Sequence, residues 1–560
     1  MMHNKRTTTN SSSSVETVVE STNSSKINHD IAAETDDSSL PTSSNNKIHY
    51  APFVDDIIYE ILSFLESLLI IRICMKISKQ WRQVSFQIPL SFESKLPKLL
   101  CPSNLKLLAH CECLKNLTCL SLGDAMMTRK YYQVHTELSN ECVKYIATSE
   151  YLNNLTCLKL CSGQIDHEGA EYIATSKCFK NLTCLDLSGN QITNEGVRCL
   201  ADSEYLTNLT CLNLDGNQIS NDGVRCLANS EYIKNLTSLS LYLNNIGDEG
   251  VIEMATSECL KNLTCLDLHL NQVGDEGIKF IVACLKNLTC LSLYFNKITD
   301  EGVKYIATSE QMKKLTSLDL SSNQIIGDEG FKYIATNGCL KSLTCLNLDE
   351  NQINNEGVRC LADSECLKKL TYLHLYSNQI GDEGVKYIAT SEWLKNLVYL
   401  DLSSNQIGDE GVKHIAASEC LKNLTSFNLN SNHIGHGGVK YIATSACLKN
   451  MTFLDLHLNQ IGDEGAKYIA TSEWLKNLTC LNLSSNQIGD EGVKYIATSE
   501  YLKNMTTLSL SCNQIGDESA KYITTSACLR NITSLNLSHN QIGNEGKEMI
   551  RNNKYQYLAI

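Results

Sequence analysis

From Leu117 onward, apolar positions recur in one fixed order. A Leu-x-x-Leu-x-Leu run leads to a short polar stretch ending at Asn, and apolar residues three and four apart follow. The first half alternates as a strand does, and the second has the spacing of one helix face. Residues 474–492, WLKNLTCLNLSSNQIGDEG, hold the strand run, the polar stretch and the start of the helical segment in one copy. Aligned on its first apolar residue, the run begins at Leu117, Leu155, Leu182, Leu209, Leu236, Leu263, Leu288, Leu315, Leu343, Leu370, Leu397, Leu424, Met451, Leu478, Met505 and Ile532. Twelve of the fifteen intervals are 27 residues. Self-similarity at that period means stacked supersecondary units, none of which buries its apolar face alone. A single solenoid therefore replaces the several domains that 560 residues would otherwise suggest.

Within a unit, the Asn after the strand run, as at Asn190, Asn217, Asn405 and Asn486, sits where its amide can bond the turning backbone, and fourteen units carry it. The next segment, GDEGVKHIAASECLKN, places Val412, Ile415, Ala416 and Cys420 at helical spacing, with Lys413 and Glu419 facing out. Each unit reads as strand, turn, helix and return. Helices are about 10 Å across and parallel strands only about 4.8 Å apart, so the strands must line the concave side.

The pattern LxxLxLxxNxIxxxG followed by a helix resembles leucine-rich repeats of the ribonuclease-inhibitor type, over about residues 114–560. The resemblance implies an α/β solenoid, a horseshoe with parallel strands on the concave face and helices on the convex face. It would occupy residues 96–560 in about 16 repeats. Ahead of it, residues 53–84 read FVDDIIYEILSFLESLLIIRICMKISKQWRQV. This resembles an F-box through Asp56, Ile57, Ile61, Leu62, Leu65, Leu69, Ser78, Lys79, Trp81 and Arg82, with Val54 at the usual proline position. The resemblance implies a small α-helical F-box-like domain over residues 48–95. Ile57, Ile61, Leu62, Leu65, Leu69 and Trp81 would dock on a Skp-type linker joined to a cullin scaffold, while the repeats hold a protein substrate for ubiquitination. On the residues alone, the same segment could be an amphipathic cap over the first repeat. Residues 1–47, rich in Ser, Thr and Asn, read as a disordered tail.

Charge narrows the partners. With 48 basic and 62 acidic side chains the chain has no basic surplus for a phosphate backbone, so nucleic acid is not expected. The apolar stretch IIYEILSFLESLLIIRICM is interrupted by Glu60, Glu66 and Arg72, and no apolar segment follows the charges of the opening residues. The expectation is a chain that neither spans nor binds a membrane, cytoplasmic with the nucleus also open to it, and monomeric outside a ligase complex.

Several motifs invite chemistry. Sequons occur in twelve units, among them Asn116, Asn181, Asn423 and Asn531, but neighbours roughly 5 Å apart leave no room for a row of glycans. The expectation is instead a left-handed Asn closing each helix. GDEG, as at Asp409 and Glu410, lacks the alternating ligands of a calcium loop, and its acids complement a helix start, where the Asp can cap. Cysteines fall in columns that accept other residues: Cys420 and Cys447 share a position with Trp393 and Trp474, and Cys199 with Tyr305. Cys184 and Cys211 could bind zinc or oxidise, yet no C-x-x-C pair supports that, so the columns read as space-filling and reduced. With no phosphate loop or nucleophile elbow, no catalytic residue, metal ligand or cofactor is expected.

What remains is a surface. Side chains between and just after the strand leucines face the concavity. Tyr242, Leu243, His269, Leu270, Tyr294 and Phe295 lie on three successive units; Tyr372, His374, Tyr376 and Tyr399 lie on two more; Phe453, His457 and Leu458 make a third patch. Exposed aromatic residues on rigid elements are favoured anchors, although lateral stacking between strands is the alternative. Asp186, Asp267, Asp319, Asp401 and Asp455 suit the face to a basic or amphipathic protein segment. The insertion at residues 123–138, containing TRKYYQVH, is either a contact loop or a tolerated addition. The reading without ligase attachment is a scaffold resembling the ribonuclease inhibitor or the Ran GTPase-activating protein.

Overall fold

The computed structural model describes residues 90–94, 102–110, 112–123, 138–323, 326–553 and 555–560. All lie in the second of two compact units, Val54–Ile560. They form an 18-stranded sheet in which each strand pairs in parallel with the next along the chain. The sheet runs from Leu90–Ser94 and Leu117–Leu122 through Tyr399–Asp401 to Tyr557–Ala559. Short helices such as Asn194–Ala201, Asp275–Cys284 and Asp409–Ala416 cover the other side. Two strands were not in the repeat count. Leu90–Ser94 falls within the segment expected to be helical, and Tyr557–Ala559 follows the last leucine run.

The core is one continuous stripe. In the unit beginning at Leu397, the residues Leu400, Leu402, Ile407, Val412 and Ile415 are fully buried, and the equivalent positions above and below are buried too. The helix ends at Ala416, so Cys420 lies in the return turn and not on the helix face. The Gly of each GDEG is explained by close packing. A Cβ on Gly411 would sit 2.6 Å from Asp382 Oδ1 and 2.9 Å from Ile407 Cγ2.

Polar side chains tie each repeat to its neighbour. The Asn405 amide donates to Leu375 O at 2.8 Å and to its own Leu402 O at 3.2 Å, while its oxygen accepts from Ile380 N at 3.0 Å. Ser418 Oγ donates to Ala389 O at 2.5 Å, supplying a partner to a carbonyl at the end of the preceding helix. Asn423 and Thr425 of a sequon donate to Lys395 O at 2.9 Å and Val398 O at 3.3 Å. These bonds replace two expectations. The sequon Asn is not left-handed, since the positive-φ residues lie just after the strands, at Ser162, Leu243, Ser404 and their equivalents. Nor does the Asp of GDEG cap its own helix. Gly381 and Gly408 occupy the cap positions, and Asp382 Oδ1 accepts from Gly408 N of the next repeat at 2.7 Å.

Candidate functional site

Because side chains alternate, the second and fourth positions after the first leucine point away from the core, and the alternation continues two residues past the strand. This places the candidate anchors on the strand-side face except Phe295, which follows in a left-handed turn and is 46% exposed. Tyr242 stacks on His269 with centroids 3.9 Å apart and planes 21° apart, His269 meets Tyr294 at 5.8 Å, and Tyr294 meets Phe295 at 5.9 Å. In the second group, Tyr372 and Tyr399 stack at 6.0 Å and His374 lies 4.6 Å from Tyr399. Tyr376 is half-buried beside them, its N–H donating to Asp349 at 2.6 Å. Phe453 stands between Ser426 and Cys480, and His457 N donates to Asp455 at 2.9 Å. The structure thus brings the first two groups together as ring clusters and leaves Phe453 without an aromatic cross-strand neighbour.

Lateral stacking does not consume these residues. Tyr372 keeps 47% of its surface exposed and Phe295 keeps 46%. Next to the rings, each repeat turns through a left-handed residue. Gly189 and Gly216 take that conformation without strain, and Ser404 and Ser431 with little side chain to accommodate. Leu243, Leu270, Phe295 and Leu458 take it with φ of 52°, where any side chain's Cβ costs roughly 1–2 kcal/mol. Leu243 and Leu458 are 44% and 50% exposed. Neither the fold nor the core asks for large apolar side chains there.

Carboxylates surround the rings. Asp267 receives His269, Asp401 accepts from the Tyr399 hydroxyl at 3.1 Å and from Asn428 at 2.9 Å, and Asp455 accepts from Asn482 at 3.1 Å. Asp215 and Asp349 belong to the same face, in the column of Tyr242 and Tyr376 two residues beyond the strand, and were missed because only aromatic residues and His were taken from that column, with carboxylates only from the fourth position. Burial raises the carboxyls of Asp319, Asp349 and Asp455, and nearby Asp401 adds to the rise at Asp349. Burial also holds His374 below its ordinary value, against the pull of Asp401 and Asp319. The helix side differs. There Glu410 pairs with Lys413 at 2.8 Å and Glu491 with Lys494 at 3.0 Å, and Lys413 lies over the Tyr441 ring at 5.7 Å.

A pH dependence follows at Asp215, pushed up to about 6 by burial. The folded chain holds this proton more tightly than the unfolded one. The resulting stabilisation is complete below the ordinary value of 3.8 and is lost as pH rises through about 6. Asp215→Asn, whose amide oxygen can still accept from Ser240 and Tyr242, is expected to flatten that loss. Urea unfolding at fixed pH values checks it, and a slope equal to wild type counts against the assignment.

An open groove of about 780 Å³ runs along the sequon edge, lined by Asn116, Thr118, Asn154, Thr156, Asn181 and Thr183 with their successors. No ionisable side chain lines it, so it offers no acid or base. Among the described residues no group of three or more His, Cys, Asp and Glu is placed to hold a metal ion, and no helix is long and apolar enough to cross a membrane. Ile57, Ile61, Leu62, Leu65, Leu69 and Trp81 lie outside the described residues, as do nearly all those of the 123–138 insertion.

The repeat architecture and the family comparison agree. A leucine-rich-repeat model matches fourteen segments, from residues 180–201 through 394–416 to 528–550, more than half of the chain. The chain belongs to the leucine-rich-repeat family. No F-box is detected in this leucine-rich-repeat chain, and no curated protein matches it. Similar solved structures include an internalin (inlF) of Listeria monocytogenes, 23% identical over 73% of this chain and 88% of that one, with a TM-score of 0.34. Another is a leucine-rich-repeat protein of Leptospira interrogans, 24% identical over 80% and 100%, with a TM-score of 0.43. Leucine-rich repeats imply a protein-binding scaffold.

Proposed function

We propose that the repeats hold a protein partner without catalysing a reaction on it, and that the partner lays a cationic, amphipathic segment along the strand-side face between Tyr242 and Tyr399. One observation carries the reading. Leu243, Leu270 and Phe295, on three successive repeats, are large apolar side chains in left-handed backbone beside a ring cluster, where most other repeats use Gly or Ser. The carboxylates beside them favour positive charge on whatever covers those rings. Selection of displayed peptides on the full chain tests this. Enrichment of Lys and Arg interleaved with aromatic or aliphatic residues, with binding that weakens as salt rises, is expected. Enrichment of acidic peptides, or of none, overturns it.

The finer proposal is that the captured protein is a substrate for ubiquitination, presented in the cytoplasm or nucleus through a Skp-type linker and a cullin scaffold. Its support is the F-box resemblance of residues 53–84. Changing Ile61 and Leu65 to Gln is expected to abolish binding of a purified Skp-type linker, because polar groups in an apolar docking face lose burial and partners. Circular dichroism should show the repeats intact. If the unaltered chain does not bind the linker, the ligase attachment is wrong and the scaffold reading, resembling the ribonuclease inhibitor, takes its place.

A further inference from the structure

The second position after the first leucine carries a row of thiols on four successive repeats, ahead of the stretch from Tyr242 to Tyr399. Cys119, Cys157, Cys184 and Cys211 stand directly opposite one another on four successive strands. All four are half-buried and free of disulfide bonding. Cys184 stands between Cys157 and Cys211 in the register of the three strands. Space-filling explains the return-turn column, where Trp393 and Trp474 replace Cys420 and Cys447. It explains this row less well, because the same column further along takes Tyr372, Tyr399, Phe453 and Thr507, whereas here four neighbours are all sulfur.

The spacing selects a ligand. In-register side chains on parallel strands are separated by about 4.8 Å. A thiolate bond to a soft closed-shell metal is about 2.3 Å long, so a two-coordinate bridge spans about 4.6 Å and fits between neighbouring strands without moving the backbone. Tetrahedral zinc would need ligands from more than one direction, and no such group is built among the described residues. Soft thiolate pairs suit copper(I). Charge agrees: two thiolates and one monovalent cation leave a single negative charge, and Lys159, two residues along the strand from Cys157 and opposite Asp186, brings an ammonium to the row.

We propose that the row Cys119, Cys157, Cys184 and Cys211 binds a soft monovalent cation of the copper(I) class, held between neighbouring thiolates with Lys159 balancing the charge. Two sulfur–hydrogen bonds break and two sulfur–metal bonds form for each ion, with both protons passing to solvent and no change of oxidation state. The chain contains its own control. Cys265 and Cys290 are also opposite each other, and Asp267 stands beside Cys265 as Asp186 stands beside Cys184, but no ammonium takes the place of Lys159 on those strands, where Asp267 and Ser292 stand instead.

The test is anaerobic competition between the reduced full-length protein and a chromophoric copper(I) chelator. Wild type should withdraw copper(I) from the chelator. C157S/C184S should lose at least tenfold in that competition, K159M should lose several-fold, and C265S/C290S should keep wild-type behaviour. Serine already stands in this column at Ser238 and Ser317, so the two double-serine variants should melt as wild type does. X-ray absorption of the loaded protein should show two sulfur neighbours. The proposal is overturned if wild type withdraws no copper(I), if C265S/C290S loses as much as C157S/C184S, or if the metal has three or four sulfur neighbours.

Discussion

Replacing Leu400 and Leu402 by alanine is expected to destabilise the solenoid by roughly 2–5 kcal/mol for each side chain. Both are fully buried, and Leu400 lies in register with Leu373 on one side and Phe427 on the other. The loss should spread. Leu402 N donates to Asn428 O of the following repeat, and Asn405 bonds both Leu402 O and Leu375 O, so a collapsed side chain disturbs bonds in both neighbours. The two substitutions share a cavity and should not add simply. Chemical unfolding gives the magnitude, and amide exchange gives the reach, with faster exchange expected in the flanking repeats as well as the altered one. Unchanged unfolding, or loss confined to one repeat, would contradict a solenoid whose units depend on their neighbours.

The strand run, the helix and the role of Asn405 were legible because each is a local pattern. An alternation of two and a spacing of three and four can be read within ten residues, and an Asn after a strand has few other uses. The ladders were not legible in the same way. Asp382, Ser418 and Asn423 each reach a backbone group 26 to 29 residues away. Read within one unit, the same residues suggest local caps, the usual behaviour of Asp and Asn beside a helix. Only stacking reveals that the partner belongs to a neighbouring repeat, the next one for Asp382 and the preceding one for Ser418 and Asn423. Cys420 failed for a related reason: its spacing fits a helix, but Ser418 and its bond to Ala389 end that helix first.

The binding face was partly legible. Period-two reasoning found the rings because they lie on the strand or immediately after it. It reached the column of Asp215 and Asp349 but took only the rings from it, because it looked for carboxylates on the strand itself, at Asp267 and Asp401. The left-handed turn could not be read at all. Its occupants include Gly189, Ser404, Glu350, Leu243 and Phe295, and no residue type shared by them announces the backbone. That variety separates scaffold from function: a position that accepts Gly and Ser carries no packing demand, so a Leu or Phe there answers to something outside the core.

Changing Tyr372, Tyr376 and Tyr399 to alanine is expected to abolish measurable capture of the partner segment, since each true anchor contributes about 2 kcal/mol or more and each such loss is about 30-fold in affinity. The three are not equivalent. Tyr399 also bonds Asp401 and packs on His374, so its removal leaves a partly buried carboxylate with one fewer partner and disturbs the face itself. Tyr399→Phe keeps the ring and removes only the hydroxyl. Tyr372 is 47% exposed and gives the clean comparison. Tyr372→Ala should melt within a degree or two of wild type and still weaken binding of the selected basic peptide by at least tenfold. Isothermal titration and thermal melting on the same preparations separate the effects. If Tyr372→Ala binds as wild type, the second ring cluster is lateral packing between strands. The anchor role then falls to Leu243, Leu270 and Phe295, whose replacement by Ser, a residue many other repeats place there, should remove binding with the left-handed backbone kept.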